Sequence, residues 1–195
     1  MGRLSETLRK SIHLSSLVIP LSYRYIFVFN RKLCFSILLA ALALSMVIEF
    51  HRFWQRGFRK TFYKVFGMIL RKHEMKDFTG ATYLLFASML VVAFLDPLIA
   101  SASIAFLSIG DTMAALIGIN FGKRKLLGRS KSLEGSLACF ASVFVFGIFW
   151  LRNPILALVG SLAATGAELG KLPLDDNVKI PLASGLAMTL MTLFM

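Results

Sequence analysis

Cysteine and charged residues are scarce in this sequence, and both shortages narrow the kinds of protein that it can encode. Only two cysteines occur among 195 residues, Cys34 and Cys139, and each lies in an apolar run without a CxxC pair or a histidine pair nearby. This arrangement supports neither a disulfide framework nor a zinc site, and we predict that both are small core residues. Only 16% of the residues are charged, whereas about 25% is usual in soluble domains. The hydrophobic content of 57% predicts that part of the surface faces lipid.

Basic residues outnumber acidic ones by 22 to 10, and the formal net charge is +12. A nucleic-acid partner is one explanation of such a charge. In an apolar chain the positive-inside rule offers a simpler one, because Lys and Arg collect in cytoplasmic loops and near anionic headgroups. We therefore expect membrane lipids, and not nucleic acid, as the partners of these charges.

Seven apolar stretches are candidate membrane-spanning helices, which need about 20 mostly apolar residues. They cover residues 12–29, 33–50, 80–95, 97–119, 133–151, 153–170 and 178–195. With seven crossings, one side of the membrane holds the N-terminus and the connections 51–79, 120–132 and 171–177. Together with the residues that flank the last connection, this side carries 18 of the 22 Lys and Arg residues. The positive-inside rule places this side in the cytoplasm. The predicted fold is an all-α, polytopic transmembrane helical bundle that forms a single integral membrane domain over 1–195, with its N-terminus cytoplasmic and Met195 outside.

The connection 51–79 predicts an amphipathic helix that lies in the membrane interface. Aromatic and apolar residues recur there at spacings of three to five, with Arg and Lys between them. These rings and aliphatic side chains are Phe50, Phe53, Trp54, Phe58, Phe62, Phe66 and Ile69. Such a pattern puts apolar groups in the acyl boundary and cations among the headgroups.

Asp111 lies inside the fourth apolar stretch. A central acid in a membrane span costs roughly 2.5–3.5 kcal/mol on insertion scales, and such residues mark functional sites by default. The alternative is a carboxylate that a neighbouring Lys or Arg neutralises purely for packing. Small residues recur every fourth position around it and predict a stripe where another helix can approach closely. They are Gly110, Ala114, Gly118 and Gly122.

The basic, glycine-bearing connection after this stretch could bind the phosphates of a nucleotide. Ser132 is placed to cap the next helix, whose N-terminal amides and dipole favour an anion. The glycines and cations that could surround a polyphosphate are Gly122, Lys123, Lys125, Lys131 and Gly135. The spacing is not that of a Walker A loop. A basic cytoplasmic loop is also what the topology alone predicts.

Acidic residues at the ends of two later stretches could hold magnesium. Glu168 lies near the end of the sixth stretch, and Asp175, Asp176 and Asn177 precede the seventh. Carboxylate and amide oxygens are hard ligands suited to Mg²⁺ that carries a nucleotide phosphate. The alternative is a plain solvated turn.

Polar residues from other helices are predicted to approach the same side. Arg9 and His13 share a helical face because they are four residues apart. Together with Lys10 they could clamp a phosphate, or they could anchor the helix at lipid headgroups. Acids and bases near the ends of the second and third stretches are Glu49, Arg71 and Glu74. Seven helices could enclose a site between them.

Five segments carry a family resemblance that runs nearly end to end. They are LRKSIHL at 8–14, IEFHR at 48–52, LRKHEMKDFTGATYLL at 70–85, SIGDTMAALIGINFGKRKLLGRSKSLEGSLA at 108–138, and GAELGKLPLDDNVKIPL at 166–182. The combination GD…GK…KSxEGS in the fourth segment is the most specific. In these segments the sequence resembles the CTP-dependent lipid kinase family that includes dolichol kinase, phytol kinase and CTP-using diacylglycerol kinase.

The resemblance implies transfer of the γ-phosphoryl group of CTP to a lipid alcohol, either diacylglycerol or a polyprenol or other isoprenoid alcohol, at the cytoplasmic membrane face with Mg²⁺. The implied catalytic residues are Asp111, Lys131 and Glu134. The implied metal ligands are Asp111, Asp175, Asp176, Asn177 and Glu168. The implied nucleotide- and phosphate-binding residues are Arg9, Lys10, His13, Gly122, Lys123, Lys125, Ser132 and Gly135. Asp111 could instead be the base for the lipid hydroxyl.

Two other functions stay open at this point. A phosphatidate cytidylyltransferase is also a multi-span enzyme that uses CTP and Mg²⁺, but it transfers CMP to a lipid phosphate and releases pyrophosphate. A transporter without chemistry would need polar residues through the bilayer midplane or an inverted repeat. The polar groups of this sequence cluster toward one face instead, and it has no internal repeat.

Overall fold

A computed structural model of the protein describes residues 3–126, 131–170 and 173–195. These residues form helices joined by turns, which confirms the predicted all-α fold, and an isolated antiparallel β-bridge joins Lys125 to Ser132. The helices are α1 (Arg3–Ser15), α2 (Val18–Leu21), α3 (Arg31–Trp54), α4 (Arg56–Phe66), α5 (Gly80–Phe94), α6 (Pro97–Phe121), α7 (Leu133–Leu151), α8 (Pro154–Leu169) and α9 (Asp176–Thr192), with a π-helical turn over Ser22–Ile26 after α2.

Within the described ranges, three helices are long and apolar enough to cross a membrane: α3, α6 and α7, with 24, 25 and 19 residues. Helices α5 and α8 are also apolar but have only 15 and 16 residues. The predicted stretches from 33–50 onward each coincide with one of these helices or with α9, and their bounds differ by a few residues.

The predicted first span, 12–29, is not one continuous helix. α1 ends at Ser15, α2 has four residues, and the π-helical turn follows it directly. Pro20 lies within α2 and has no N–H to donate to a preceding turn. Val28 and Phe29 then adopt positive φ angles of 46° and 58°, which end the helical segment. The apolar length of the stretch indicated a span but did not reveal these breaks.

This N-terminal segment nevertheless runs beside α6. Ser16 Oγ lies 2.6 Å from Ser108 Oγ, near the middle of α6. Arg31, at the start of α3, donates a hydrogen bond of 2.8 Å to the Leu95 carbonyl, just before α6 begins. Because the segment first meets the middle of α6 and later its beginning, the two run antiparallel.

α6 is the central helix, and its small residues allow a close approach by α7. A Cβ added at Gly110 would lie 2.9 Å from both Cys139 Sγ and Val143 Cγ2. A Cβ added at Gly135, in α7, would lie 2.7 Å from the carbonyl oxygen of Ala114. The small-residue stripe predicted from the four-residue spacing therefore forms the α6–α7 interface. Both cysteines of the chain are free and buried, as predicted.

A helix forms in the segment predicted to lie in the membrane interface, but it is shorter than that segment. α4 has 11 residues, and its ring centroids lie 6.3 Å apart for Phe58 and Phe62 and 4.9 Å apart for Phe62 and Phe66. Phe50, Phe53 and Trp54, which the pattern assigned to this helix, belong to α3, and Ile69 follows the end of α4. The basic residues of α4 lie between the aromatic ones in sequence, as an amphipathic interfacial helix requires.

Candidate active site

The ends of α1, α6, α7, α8 and α9 meet around a cavity of about 450 Å³, which we call the polar cavity. The predicted site residues that line it are Arg9, Lys10, Arg71, Asp111, Lys131, Ser132, Gly135, Glu168 and Asp176. Glu6 and Ser136 also line it, although the sequence did not single them out. Segments that are far apart in sequence thus contribute cations and carboxylates to one cavity.

Asp111 is held by the N-terminal helix. The Lys10 ammonium forms an ion pair with the Asp111 carboxylate and donates a hydrogen bond of 2.9 Å to the Asp111 carbonyl oxygen. His13 Nε2 lies 3.4 Å from the same carboxylate oxygen. Burial lowers the pKa of Lys10, and the Asp111 carboxylate opposes that shift. Two residues predicted to bind phosphate therefore surround an acid inside α6.

Arg9 is paired within its own helix. Its guanidinium forms an ion pair with Glu6, three residues earlier. Burial acts to raise the pKa of Glu6, but the hydrogen bond and charge of Arg9 lower it overall. An acid three residues before a base is a common helical pair, so the spacing could have identified Glu6 from the sequence.

Lys131 connects the other carboxylates of the cavity. Its ammonium lies 3.0 Å from Glu168 Oε1, at the end of α8, and 3.4 Å from Asp176 Oδ2, at the start of α9. Lys179 lies 2.8 Å from Asp176 Oδ1 and also donates to the Gly170 carbonyl at 3.3 Å. These contacts bring the predicted phosphate-binding lysine and two predicted metal ligands together.

The connection between α6 and α7 is only partly in the polar cavity. Ser132 caps α7, as predicted, and accepts a hydrogen bond of 3.1 Å from the Gly135 N–H. Glu134 accepts hydrogen bonds of 3.2 and 3.3 Å from the Arg124 N–H and thereby closes the connection. Four predicted site residues are not among the described residues that line the cavity: Gly122, Lys123, Lys125 and Glu134. Residues 127–130 of the predicted loop lie outside the described ranges.

Asp175 and Asn177 do not join the other predicted metal ligands. Asp175 caps α9 by accepting a hydrogen bond of 2.9 Å from the Asn177 N–H. Its other carboxylate oxygen lies 3.8 Å from both Arg71 and His73. Neither residue is among the described residues that line the polar cavity. Asp175 therefore caps α9 beside two basic residues, and it does not lie with the other predicted metal ligands.

Magnesium fits this cavity only through part of the predicted ligand set. Among the described residues, no group of three or more His, Cys, Asp or Glu is arranged to hold a metal ion. However, Mg²⁺ is commonly bound through one or two carboxylates together with substrate phosphates. Glu168 and Asp176, which share the Lys131 ammonium, provide such a pair.

Glu49 and Glu74 hold the connection between α4 and α5. Glu49 forms a buried ion pair with Arg52 and accepts a hydrogen bond of 2.8 Å from the Thr79 N–H. Arg52 donates a 2.6 Å hydrogen bond to the Glu74 carbonyl. Glu74 accepts one of 2.9 Å from the Gly80 N–H. The two acids predicted near the site therefore hold this connection, and they are not among the described residues that line the polar cavity.

A second cavity, of about 530 Å³, lies between α1, α3, α4 and α5, and we call it the apolar cavity. Its hydrophobic lining consists of Ile12, Ile48, Phe62, Phe66, Ile69, Leu70, Ala81, Leu84 and Leu85. Arg9 lines both cavities. His13, which touches Asp111 of the polar cavity, lines the apolar one. The two spaces are thus neighbours.

Comparison with known proteins relates this chain to lipid kinases. An uncharacterized protein of Rickettsia prowazekii is 25% identical over 197 residues, which cover 95% of this chain and 94% of the relative. CTP-dependent diacylglycerol kinase 1 of Schizosaccharomyces pombe is 28% identical over 151 residues, 68% of this chain and 69% of the relative. CTP-dependent diacylglycerol kinase 1 of Saccharomyces cerevisiae is 26% identical over 210 residues, 94% of this chain and 72% of the relative.

No protein-family model matches the chain, and no solved structure matches it. The similarity to the yeast enzymes extends over most of the sequence, and it confirms the predicted resemblance to CTP-dependent lipid kinases. Over most of its length the chain is thus similar to CTP-dependent diacylglycerol kinases, which are lipid kinases.

Proposed function

We propose that this protein is a membrane-embedded kinase that transfers the γ-phosphoryl group of CTP to the hydroxyl of a lipid alcohol at the cytoplasmic face of the membrane. The acceptor is diacylglycerol or a polyprenol or other isoprenoid alcohol. The observation that carries the proposal is the polar cavity, where cations of α1 and of the α6–α7 connection face acids of α6, α8 and α9. Phosphoryl transfer depends mainly on positioning and on neutralising charge, which such a cavity provides.

In the proposed reaction, the lipid hydroxyl oxygen bonds to the γ-phosphorus of CTP. The bond from that phosphorus to the β–γ bridging oxygen breaks, and CDP leaves with its electron pair. The hydroxyl proton passes to the Asp111 carboxylate, as in kinases where an aspartate accepts the substrate proton. Metal binding by Asp111 is not part of this proposal, because Lys10 and His13 already surround the carboxylate.

The phosphates are proposed to lie between Arg9, Arg71 and Lys131, which all line the polar cavity. Mg²⁺ would be held by Glu168 and Asp176, and when bound it neutralises charge on the phosphate oxygens. Lys131 would then move from these two carboxylates toward the phosphates. Its 27% exposed side chain has room for such a movement.

The proposed topology has seven crossings with a cytoplasmic N-terminus. The N-terminal segment is proposed as the first crossing, because it runs antiparallel to α6 from Ser16 to Arg31. α3, α5, α6, α7, α8 and α9 supply the other six. Short helices such as α5 can be accommodated by local thinning of the bilayer. This arrangement puts the polar cavity on the side that carries most of the Lys and Arg residues.

The test uses the purified full-length protein in phospholipid nanodiscs with CTP or ATP and a panel of diacylglycerol, polyprenol, phytol and farnesol. CTP labelled at the γ-phosphorus should give a labelled lipid phosphate and unlabelled CDP. CTP labelled at the α-phosphorus should leave the lipid unlabelled. In a parallel assay with phosphatidate, labelled lipid from α-labelled CTP, with release of pyrophosphate, would instead identify a cytidylyltransferase.

A further inference from the structure

The apolar cavity is a second space next to the proposed nucleotide site, and both apolar and polar side chains line it. Phe62 and Phe66 of α4 and Leu84 of α5 belong to its apolar part. Arg9 and His13 of α1 lie where it adjoins the polar cavity, and we call that part its polar end. Its other polar lining residues include Glu49, Glu74 and Asn177. Its volume of about 530 Å³ falls within the roughly 300–1,000 Å³ of typical small-ligand pockets.

The polar end of this cavity adjoins the groups proposed for chemistry. Arg9 lines both cavities. His13 Nε2 is buried, makes no hydrogen bond with any described residue, and lies 3.4 Å from Asp111 Oδ2. Buried polar atoms usually have a hydrogen-bond partner, and His13 Nε2 has only its 3.4 Å ion-pair contact with Asp111, so it is free to donate a hydrogen bond to a bound molecule.

The apolar wall belongs to the helix that is predicted to lie in the membrane interface. Phe62 and Phe66 of α4 have ring centroids 4.9 Å apart, and both line the cavity. An interfacial helix lies at the boundary between headgroups and acyl chains. The hydroxyl of a membrane lipid alcohol lies at the same depth, with its hydrocarbon chain extending from it.

We propose that the apolar cavity is the acceptor site: it holds one hydrocarbon chain of the lipid alcohol, with the hydroxyl at the Arg9–His13 end. This inference rests on the proposed kinase function. His13 Nε2 donates a hydrogen bond to the hydroxyl oxygen, while the hydroxyl proton faces Asp111. His13 is thus the residue that positions the acceptor, and Arg9, which lines both cavities, binds the phosphate to be transferred from the side.

Filling the cavity tests the assignment. Ile48→Trp and Ala81→Trp add bulk from two walls, α3 and α5, because both residues line the cavity. Ala43→Trp is the matched control, since Ala43 is an exposed residue of α3 that is not among the lining residues. Each filling variant should raise the KM for the acceptor about tenfold or more, and leave the KM for CTP within about twofold. The assignment would be overturned if both filling variants had the same acceptor KM as the Ala43→Trp control.

Photolabelling tests the proposed acceptor site without measuring turnover. The test therefore still applies if a filling variant does not fold. The probes are diacylglycerol and farnesol with a diazirine in the hydrocarbon chain, and phosphatidylcholine with the same diazirine as a control without a free hydroxyl. At least one alcohol probe should label peptides containing Phe62, Phe66 or Leu84, and the unlabelled alcohol should compete. Labelling of other regions only, or equal labelling by phosphatidylcholine, would refute the acceptor site.

Two substitutions of His13 distinguish a role in positioning the acceptor from a purely structural role. His13→Gln keeps a donor near the same place and should retain more activity than His13→Leu, and the difference should lie in the acceptor KM. If both variants change only the KM for CTP, His13 does not position the acceptor. If the parent protein has no kinase activity while the alcohol probes label the cavity, the proposed function fails and the binding site stands. Normal kinase activity with labelling elsewhere would reject the cavity alone.

Discussion

Lys10 and Asp111 are 101 positions apart in the chain, and their side chains form a buried ion pair at the edge of the polar cavity. Their side chains are only 3% and 11% exposed, so the pair lies almost entirely out of water. Removing one partner from such a pair typically costs about 3–5 kcal/mol, because the other charge remains buried. The pair therefore joins α1 to α6 and holds Asp111 at the place where we propose that the hydroxyl proton is accepted.

Asp111→Asn should abolish most activity, with kcat reduced by about 10²–10⁴-fold, as expected for loss of a general base. It should also destabilise the protein, because Lys10 keeps a buried charge without a partner. The double variant Lys10→Met, Asp111→Asn removes both charges and should recover stability but not activity. Turnover and thermal unfolding in detergent measure the two effects separately.

Asp96→Asn is the control for that experiment. Asp96 caps the other end of α6 by accepting hydrogen bonds of 2.9 Å from the Leu98 N–H and 3.4 Å from the Ile99 N–H. Asparagine caps helices about as well as aspartate, so this variant should keep both activity and stability. Near-normal turnover by Asp111→Asn would mean that Asp111 serves packing only.

Gly135→Ala should destabilise the protein by about 1–3 kcal/mol, the usual cost of overpacking. The added Cβ would lie 2.7 Å from the Ala114 carbonyl oxygen and 3.3 Å from the Gly118 Cα, so α7 would have to move away from α6. Gly166→Ala is the matched control, because a Cβ there meets nothing within 4 Å. That variant should be neutral or more stable by about 0.4–1 kcal/mol. Equal unfolding temperatures for the two variants would contradict the close α6–α7 packing.

The features that the sequence predicted correctly depend on residues close together in the chain. The Ser132 cap follows from a serine before an apolar run, and it accepts the Gly135 N–H three residues later. The small-residue stripe depends on a four-residue spacing within one helix. Such local signals determine a helix and its faces, because the helical repeat fixes which residues point the same way.

The features that the sequence missed depend on long-range partners. Asp111 was expected at the site, but nothing in the pattern identified Lys10 as its partner among 22 basic residues. Glu49 was expected near the site, yet it pairs with fully buried Arg52 and supports the α4–α5 connection. The sequence pattern predicts on which side of the membrane an acid lies, but it does not identify the cation that the acid contacts.

The topology predicts which side of the membrane each end of a helix occupies. In a background with Cys34→Ala and Cys139→Ala, a membrane-impermeant maleimide should label Met195→Cys in intact cells. It should label Lys125→Cys only after permeabilisation. Both positions are exposed, so access to the protein surface does not limit labelling. Labelling of Lys125→Cys from outside would reverse the proposed orientation.

Asp175 and Asp176 are neighbours in sequence, and their contacts predict different roles for them. Asp176 lies 3.4 Å from Lys131 and lines the polar cavity, whereas Asp175 caps α9 and lies 3.8 Å from Arg71. Asp176→Asn should therefore raise the Mg²⁺ concentration needed for half-maximal rate by about tenfold, because it removes a charged oxygen ligand. Asp175→Asn keeps the helix cap and should leave the Mg²⁺ dependence nearly unchanged.

Lys131→Ala should affect the same reaction through the nucleotide. Because Lys131 is proposed to move from Glu168 and Asp176 to the phosphates, its loss should raise the KM for CTP, and added CTP should restore more rate than added Mg²⁺. Rates measured with Mg²⁺ and CTP varied independently distinguish the variants. If Asp175→Asn, and not Asp176→Asn, shifts the Mg²⁺ dependence, then the metal lies at the start of α9 beside Arg71. If neither aspartate variant shifts it and Lys131→Ala leaves the KM for CTP unchanged, these residues do not share a nucleotide site.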